Sequence, residues 1–146
     1  MFRGNHPAKV DEKGRLKLPS EFKRRTDEVY GPRFYVTSTD GKRARVYPMR
    51  EWEKIEAALM EIPSMNPVKR KFLDATNYYG QEAEIDAQGR ILVPQILREA
   101  AKLTTDCVVL GVQTYLEIAN REEFEAELKA APLTAEDEAA LAALGI

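Results

Sequence analysis

Residues 9–19 read KVDEKGRLKLP, and residues 84–94 read EIDAQGRILVP. In both, an aspartate opens a four-residue turn (DEKG, DAQG) that closes on glycine, an arginine follows, and a proline ends the segment. Aspartate suits the first turn position because its carboxylate accepts nearby backbone N–H groups, and glycine suits the last because it tolerates positive φ. On either side of the turn, Ala8, Val10, Leu16 and Leu18 alternate with polar residues, as do Ala83, Ile85, Ile91 and Val93. Period-2 alternation predicts two short strands with one apolar face.

The two stretches form an internal repeat. Shifting the chain by 75 positions superposes Ala8–Lys23 on Ala83–Arg98 with five of 16 pairs identical: Ala8/Ala83, Asp11/Asp86, Gly14/Gly89, Arg15/Arg90 and Pro19/Pro94. Five more pairs are similar: Val10/Ile85, Leu16/Ile91, Leu18/Val93, Phe22/Leu97 and Lys23/Arg98. Beyond them, FYVTSTDGKRARVYPMREWEKI and VVLGVQTYLEIANREEFEAEL each predict strand, turn, strand and helix, with Trp52 and Phe124 in matching places. A two-stranded ribbon is marginal alone in water, so two units sharing one core is the economical arrangement.

The intervening segments carry helix signals. REWEKIEAALMEI (50–62) spaces Trp52, Ile55, Leu59 and Ile62 along one helical face, and Pro63 ends it. Asn66 before Pro67 marks the start of a helix that bridges the repeats and closes at Gly80. Thr134, the acids after it and Gly145 describe a small acidic C-terminal helix. The expected organisation is repeat 1 over 1–62, a bridging helix over 63–80, repeat 2 over 81–130 and the last helix over 131–146.

The 146 residues have a formal net charge of −2, but the charge is segregated: residues 1–50 hold 13 Lys/Arg against 6 Asp/Glu, and residues 51–146 hold 9 against 18. A basic half creates a local positive field that attracts phosphate backbones. Much of it surrounds the first turn. Lys9, Asp11, Arg15 and Lys17 lie opposite the apolar face, with Lys13 at the tip and Arg3 upstream, whereas the second unit offers Glu84, Asp86, Arg90 and Leu92 with Gln88 at its tip. Taken alone, one Asp/Gly/Arg set reads first as a hairpin whose cross-turn ion pair serves folding only.

Enzyme chemistry finds little support. His6 is the only histidine, which excludes a two-histidine metal site, and no glycine-rich phosphate loop is present. The single cysteine, Cys107, excludes an intramolecular disulfide and sits in an apolar run that suits packing. No stretch reaches the roughly 18 apolar residues of a membrane span, and the N-terminus lacks a signal-peptide core, so a cytoplasmic protein is expected.

MFRG at the start, DEKGRLKLP, SMNPVKRKF and DAQGRILVP, in this order, resemble the MraZ family of bacterial transcriptional regulators, built from two SpoVT/AbrB-like units. The resemblance runs from Met1 to about Leu128. It implies an α+β fold: a pseudo-twofold double-split β-barrel of swapped hairpins from two AbrB-like repeats, with flanking helices. It also implies binding to double-stranded DNA without a cofactor or small-molecule substrate, association with the nucleoid, and a homo-oligomeric ring. The implied target is a set of tandem promoter repeats ahead of the division and cell-wall gene cluster that contains the regulator's own gene, which it represses. The family's Asp-x-x-x-Arg motifs fall on Asp11/Arg15 and Asp86/Arg90.

On chemistry, Arg15 is the first candidate to read guanine in a major groove, with Lys13, Lys17, Lys9 and Arg3 neutralising phosphates. Asp11 orients Arg15, and Gly14 and Gly89 shape the turns. Arg90, with acidic Glu84 and Asp86 beside it, is either a weaker contact or a structural ion pair. A reading from another class is an assembly module whose basic hairpin meets an acidic protein surface.

Overall fold

The computed structural model describes residues 1–146. Eight strands and six helices follow one another as β1 (Asn5–Lys9), β2 (Arg15–Lys17), α1 (Ser20–Val29), β3 (Arg33–Thr37), β4 (Ala44–Pro48), α2 (Met49–Met60), α3 (Pro67–Tyr78), β5 (Gln81–Glu84), β6 (Arg90–Leu92), α4 (Gln95–Ala100), β7 (Asp106–Val112), β8 (Tyr115–Asn120), α5 (Arg121–Ala130) and α6 (Ala135–Ala143). The class is α+β.

Six strands form one antiparallel sheet in the order β1-β7-β8-β4-β3-β5, and β2 pairs with β6 in a separate two-stranded ribbon. The sheet ends at β1 and β5, so its strand pairing does not close into a barrel. Both edges discourage further pairing, since Pro7 lies within β1 and Gln81, Glu82 and Glu84 lie on β5.

The expected hairpin of β1 with β2 is present only at its tip. The two strands share a single bridge, Val10 to Leu16, beyond which β1 pairs with β7 through five register positions from Asn5↔Leu110 to Lys9↔Asp106. In the second unit β5 shares no bridge with β6 and pairs with β3. Pairing therefore crosses between the units. The physical reason lies in Leu16 and Ile91, which face each other across β2 and β6 and are both fully buried. A hairpin folded on its own would leave each of them wet, forfeiting about 1.5–3 kcal/mol per side chain.

The ribbon lies over one face of the sheet. Leu16, Leu18, Ile91 and Val93, Phe22 from α1 and Leu97 from α4 join Phe34, Val36, Val46, Val109, Leu116 and Ile118 of the sheet in the main core. Pro19 and Pro94 each stand at the N-cap of the helix that follows the ribbon strand, so α1 and α4 leave the ribbon in the same way. Cys107 belongs to this core, and burial pushes its thiol up to about 11.

The opposite face carries a smaller aromatic cluster. Trp52 of α2 stacks on Tyr35 at 4.6 Å and contacts Tyr47, and Phe72 of α3 stacks farther out. At the position matching Trp52, Phe124 of α5 is half-buried beneath the Arg43 guanidinium. Asn66 caps α3 by accepting from the Val68 and Lys69 N–H groups, and Thr134 and Asp137 form a reciprocal capping box on α6, as their sequence signals indicate. No residue of α6 is buried. No helix is long and apolar enough to cross a membrane.

Candidate nucleic-acid interface

The turn chemistry expected of DEKG is present atom by atom. Asp11 Oδ1 accepts the backbone N–H groups of Lys13 and Arg15, both at 2.9 Å, while Oδ2 accepts from Arg15 Nε at 3.1 Å. Gly14, at φ +83°, donates its N–H to the Asp11 carbonyl. The second turn repeats the pattern, with Asp86 accepting from the Gln88 and Arg90 N–H groups and from Arg90 Nε at 2.8 Å, and with Gly89 at φ +78°. These bonds hold both aspartate carboxyls below their ordinary value, the backbone N–H of Arg15 or of Arg90 being the largest cause in each case.

Each aspartate thus fixes an arginine by one nitrogen. Nε is bound, and neither Arg15 nor Arg90 makes a hydrogen bond within the chain through its Nη groups. That leaves the terminal fork of each guanidinium, five donors in all less the one engaged, free for an external acceptor.

Pairing of β2 with β6 brings the two arginines onto one surface. The register sets Arg15 opposite Leu92, Leu16 opposite Ile91 and Lys17 opposite Arg90. Because side chains alternate along a strand and the central pair points into the core, the flanking four point outward. Arg15, Lys17, Arg90 and Leu92 therefore share one outward face between two glycine turns, with Lys17 and Leu92 exposed and the two arginines half-buried. Arg90 forms the expected ion pair with Asp86, at 2.8 Å, and also has the cationic Lys17 as its direct cross-strand neighbour. Its nearest acid, Asp86, is already committed to the turn.

The remaining basic candidates separate. Lys13 is exposed at the tip of the first turn and Lys17 is exposed on the ribbon. Lys9 ends β1, where it pairs with Asp106 of β7 at 3.4 Å, an exposed ion pair of small energetic weight. Arg3 lies beyond the other end of β1, roughly 26 Å from Asp11 at the usual rise per residue. There it lines an open cleft with Met1, Phe2, Glu21, Arg24 and Arg25. Arg24 and Arg25 are a second group of cations absent from the sequence-based candidates; the run KRR at 23–25 was their signal.

Two further basic side chains support the turns. Arg98 of α4 covers Gly14, and Lys23 of α1 covers Gly89, its Cδ being 3.1 Å from where a Cβ would stand. Each repeat thus covers the other's turn, and these two residues are one of the similar pairs of the repeat.

A family model described as "MraZ protein, putative antitoxin-like" matches residues 1–75 and 80–144. The chain belongs to the MraZ family. A protein of Acidobacterium capsulatum named Transcriptional regulator MraZ is 63% identical over 146 residues, covering all of both chains. One of the same name from Koribacter versatilis is 51% identical, again over the full length of both. A third, from Syntrophobacter fumaroxidans, is 38% identical over 88% of this chain and 85% of its own. Both halves of the MraZ match include one Asp-x-x-x-Arg turn, so the paired turns belong to the part of the chain that carries the family likeness.

Proposed function

We propose that this chain is a sequence-specific DNA-binding transcription regulator that presents the β2–β6 ribbon to the major groove of double-stranded DNA. The observation that carries the reading is the placement of Arg15 and Arg90 on one outward ribbon face, each tethered through Nε and each with its terminal nitrogens free. A two-stranded ribbon fits a groove about 12 Å wide, and a held guanidinium is preorganised to donate two bonds to guanine O6 and N7. Lys13 and Lys17 would neutralise phosphates beside it, and Lys9 would join them once its surface pair with Asp106 opens. The names of the full-length relatives, all transcriptional regulators, support the same function.

In this reading the six-stranded sheet and the ribbon are the two parts of a swapped-hairpin double-split barrel. Several copies form a ring whose ribbons engage tandem promoter repeats, because a single short ribbon makes few contacts and repetition raises effective concentration. The target is the promoter of the division and cell-wall cluster containing the regulator's own gene, which it represses from the nucleoid.

A gel shift with DNA from immediately upstream of the chain's own gene tests the reading. Wild-type protein should retard the fragment, and Arg15→Ala should abolish specific retardation without altering the circular dichroism spectrum or the oligomer. Undiminished binding by Arg15→Ala would sink the proposal. Salt-sensitive oligomers with no DNA retardation would favour the assembly module.

A further inference from the structure

Leu92 is out of place on the ribbon's outer face. Its neighbours there are Arg15, Lys17 and Arg90, yet it is a large aliphatic side chain left 42% exposed. The equivalent position of the first repeat, 75 residues earlier, is Lys17. The ribbon's two ends consequently differ: Arg15 faces a leucine, whereas Arg90 faces a lysine.

The hydrogen-bond ladder sharpens the first of these pairs. Val93 N–H donates to the Gly14 carbonyl and Leu18 N–H to the Gly89 carbonyl, both at 2.9 Å. Alternation of an antiparallel ladder then makes Arg15↔Leu92 a non-hydrogen-bonded pair, the type whose side chains approach more closely. Their Cβ atoms stand about 4.5–5.5 Å apart, little more than one base step of about 3.4 Å. Such a spacing suits two neighbouring base edges.

We infer that Leu92 reads a thymine by apolar contact with its C5-methyl group, one base step from the guanine that Arg15 reads. This rests on the proposed insertion of the ribbon into the major groove. The thymine methyl is the one apolar group that the bases display there, and an exposed leucine contributes little to the fold while gaining burial against it. A pseudo-symmetric ribbon thereby selects an unsymmetrical sequence. The Arg15/Leu92 end specifies two adjacent bases, and the Arg90/Lys17 end offers a guanine reader and a phosphate cation. Each ribbon then has a defined direction on the DNA, as head-to-tail repeats require.

The test uses full-length protein and the same upstream fragment, synthesised either with thymine or with uracil at every thymine position. Uracil removes only the methyl group. Wild-type protein should bind the uracil fragment about five- to tenfold more weakly. Leu92→Ala should bind the thymine fragment as weakly as wild type binds uracil, and should change less than twofold between the two. Leu92→Met, which keeps an apolar tip, should retain the thymine dependence. The inference is overturned by equal wild-type binding to both fragments, or by a Leu92→Ala variant that still loses fivefold on uracil. Arg15→Ala, run alongside, separates the two levels: its undiminished binding removes the ribbon reading itself, whereas its loss together with indifference to uracil removes only the role of Leu92.

Discussion

Arg98, from the second repeat, lies across Gly14 of the first, so that a Cβ built on Gly14 would run into the Arg98 guanidinium. Gly89 has the same relationship with Lys23, but there the nearest atom is a flexible methylene at 3.1 Å. The turns need glycine twice over: for φ near +80°, and for the side chain that closes over them.

Gly14→Ala should therefore cost more than Gly89→Ala. Positive φ alone accounts for roughly 1–2 kcal/mol at either turn; at Gly14 the displaced guanidinium adds to it. Urea unfolding of the two variants should show the larger fall in midpoint for Gly14→Ala, and equal falls would show that Arg98 yields freely. Because the buried Nε of Arg98 has no hydrogen-bond partner, Arg98→Met should be close to neutral in the same assay.

The aspartates predict an acid dependence with a definite sign. Both folded carboxyls titrate below the ordinary 3.8, so each contributes stability that is fully present above its unfolded pKa and lost as pH falls through its lower folded value. An Asp11→Asn/Asp86→Asn double variant lacks this contribution. Its stability deficit should be constant from pH 7 to about pH 5 and should shrink below pH 4, as denaturant midpoints across this range will show. A deficit that grows on acidification would contradict the turn geometry.

Arg90 should matter to DNA affinity despite the acidic sequence around it. Arg90→Ala is expected to weaken binding to the upstream fragment about ten- to hundredfold, the range for losing one bidentate base contact. Arg90→Lys should not rescue it, since a single ammonium nitrogen tethered to Asp86 cannot present the planar fork that meets O6 and N7 together. Fluorescence anisotropy titration measures both.

Lys13→Ala should weaken binding to all DNA sequences alike and reduce the slope of log affinity against log salt by about 0.9, the loss of one phosphate contact. A loss restricted to the upstream fragment would instead make Lys13 a base reader.

Core and periphery should separate cleanly. Leu16→Ala removes a fully buried side chain at the join of ribbon and sheet and should cost about 2–5 kcal/mol. Truncation before Thr134 removes a helix with no buried residue and should leave the thermal midpoint of the remainder unchanged, as calorimetry would register.

Several elements were legible in the sequence because their causes are local. Asp11 and Asp86 fold back on backbone N–H groups within four residues, Asn66 and Thr134 cap helices that begin beside them, and the period-2 alternation marks which ribbon residues turn inward. The partner of each strand was not legible in this way. Nothing near Val10 or Leu16 states that β1 will leave its hairpin for β7, or that Lys17 will stand beside Arg90.

By itself, then, the sequence determined the duplicated turn: aspartate, glycine, arginine and proline in a spacing whose hydrogen bonds close within one short loop. Tertiary structure alone decided that both turns meet on one ribbon, because Leu16 and Ile91 leave water together only when β2 and β6 pair across the repeats. Burial of that central pair turns the four flanking side chains outward, and so places Leu92 beside Arg15 and Lys17 beside Arg90.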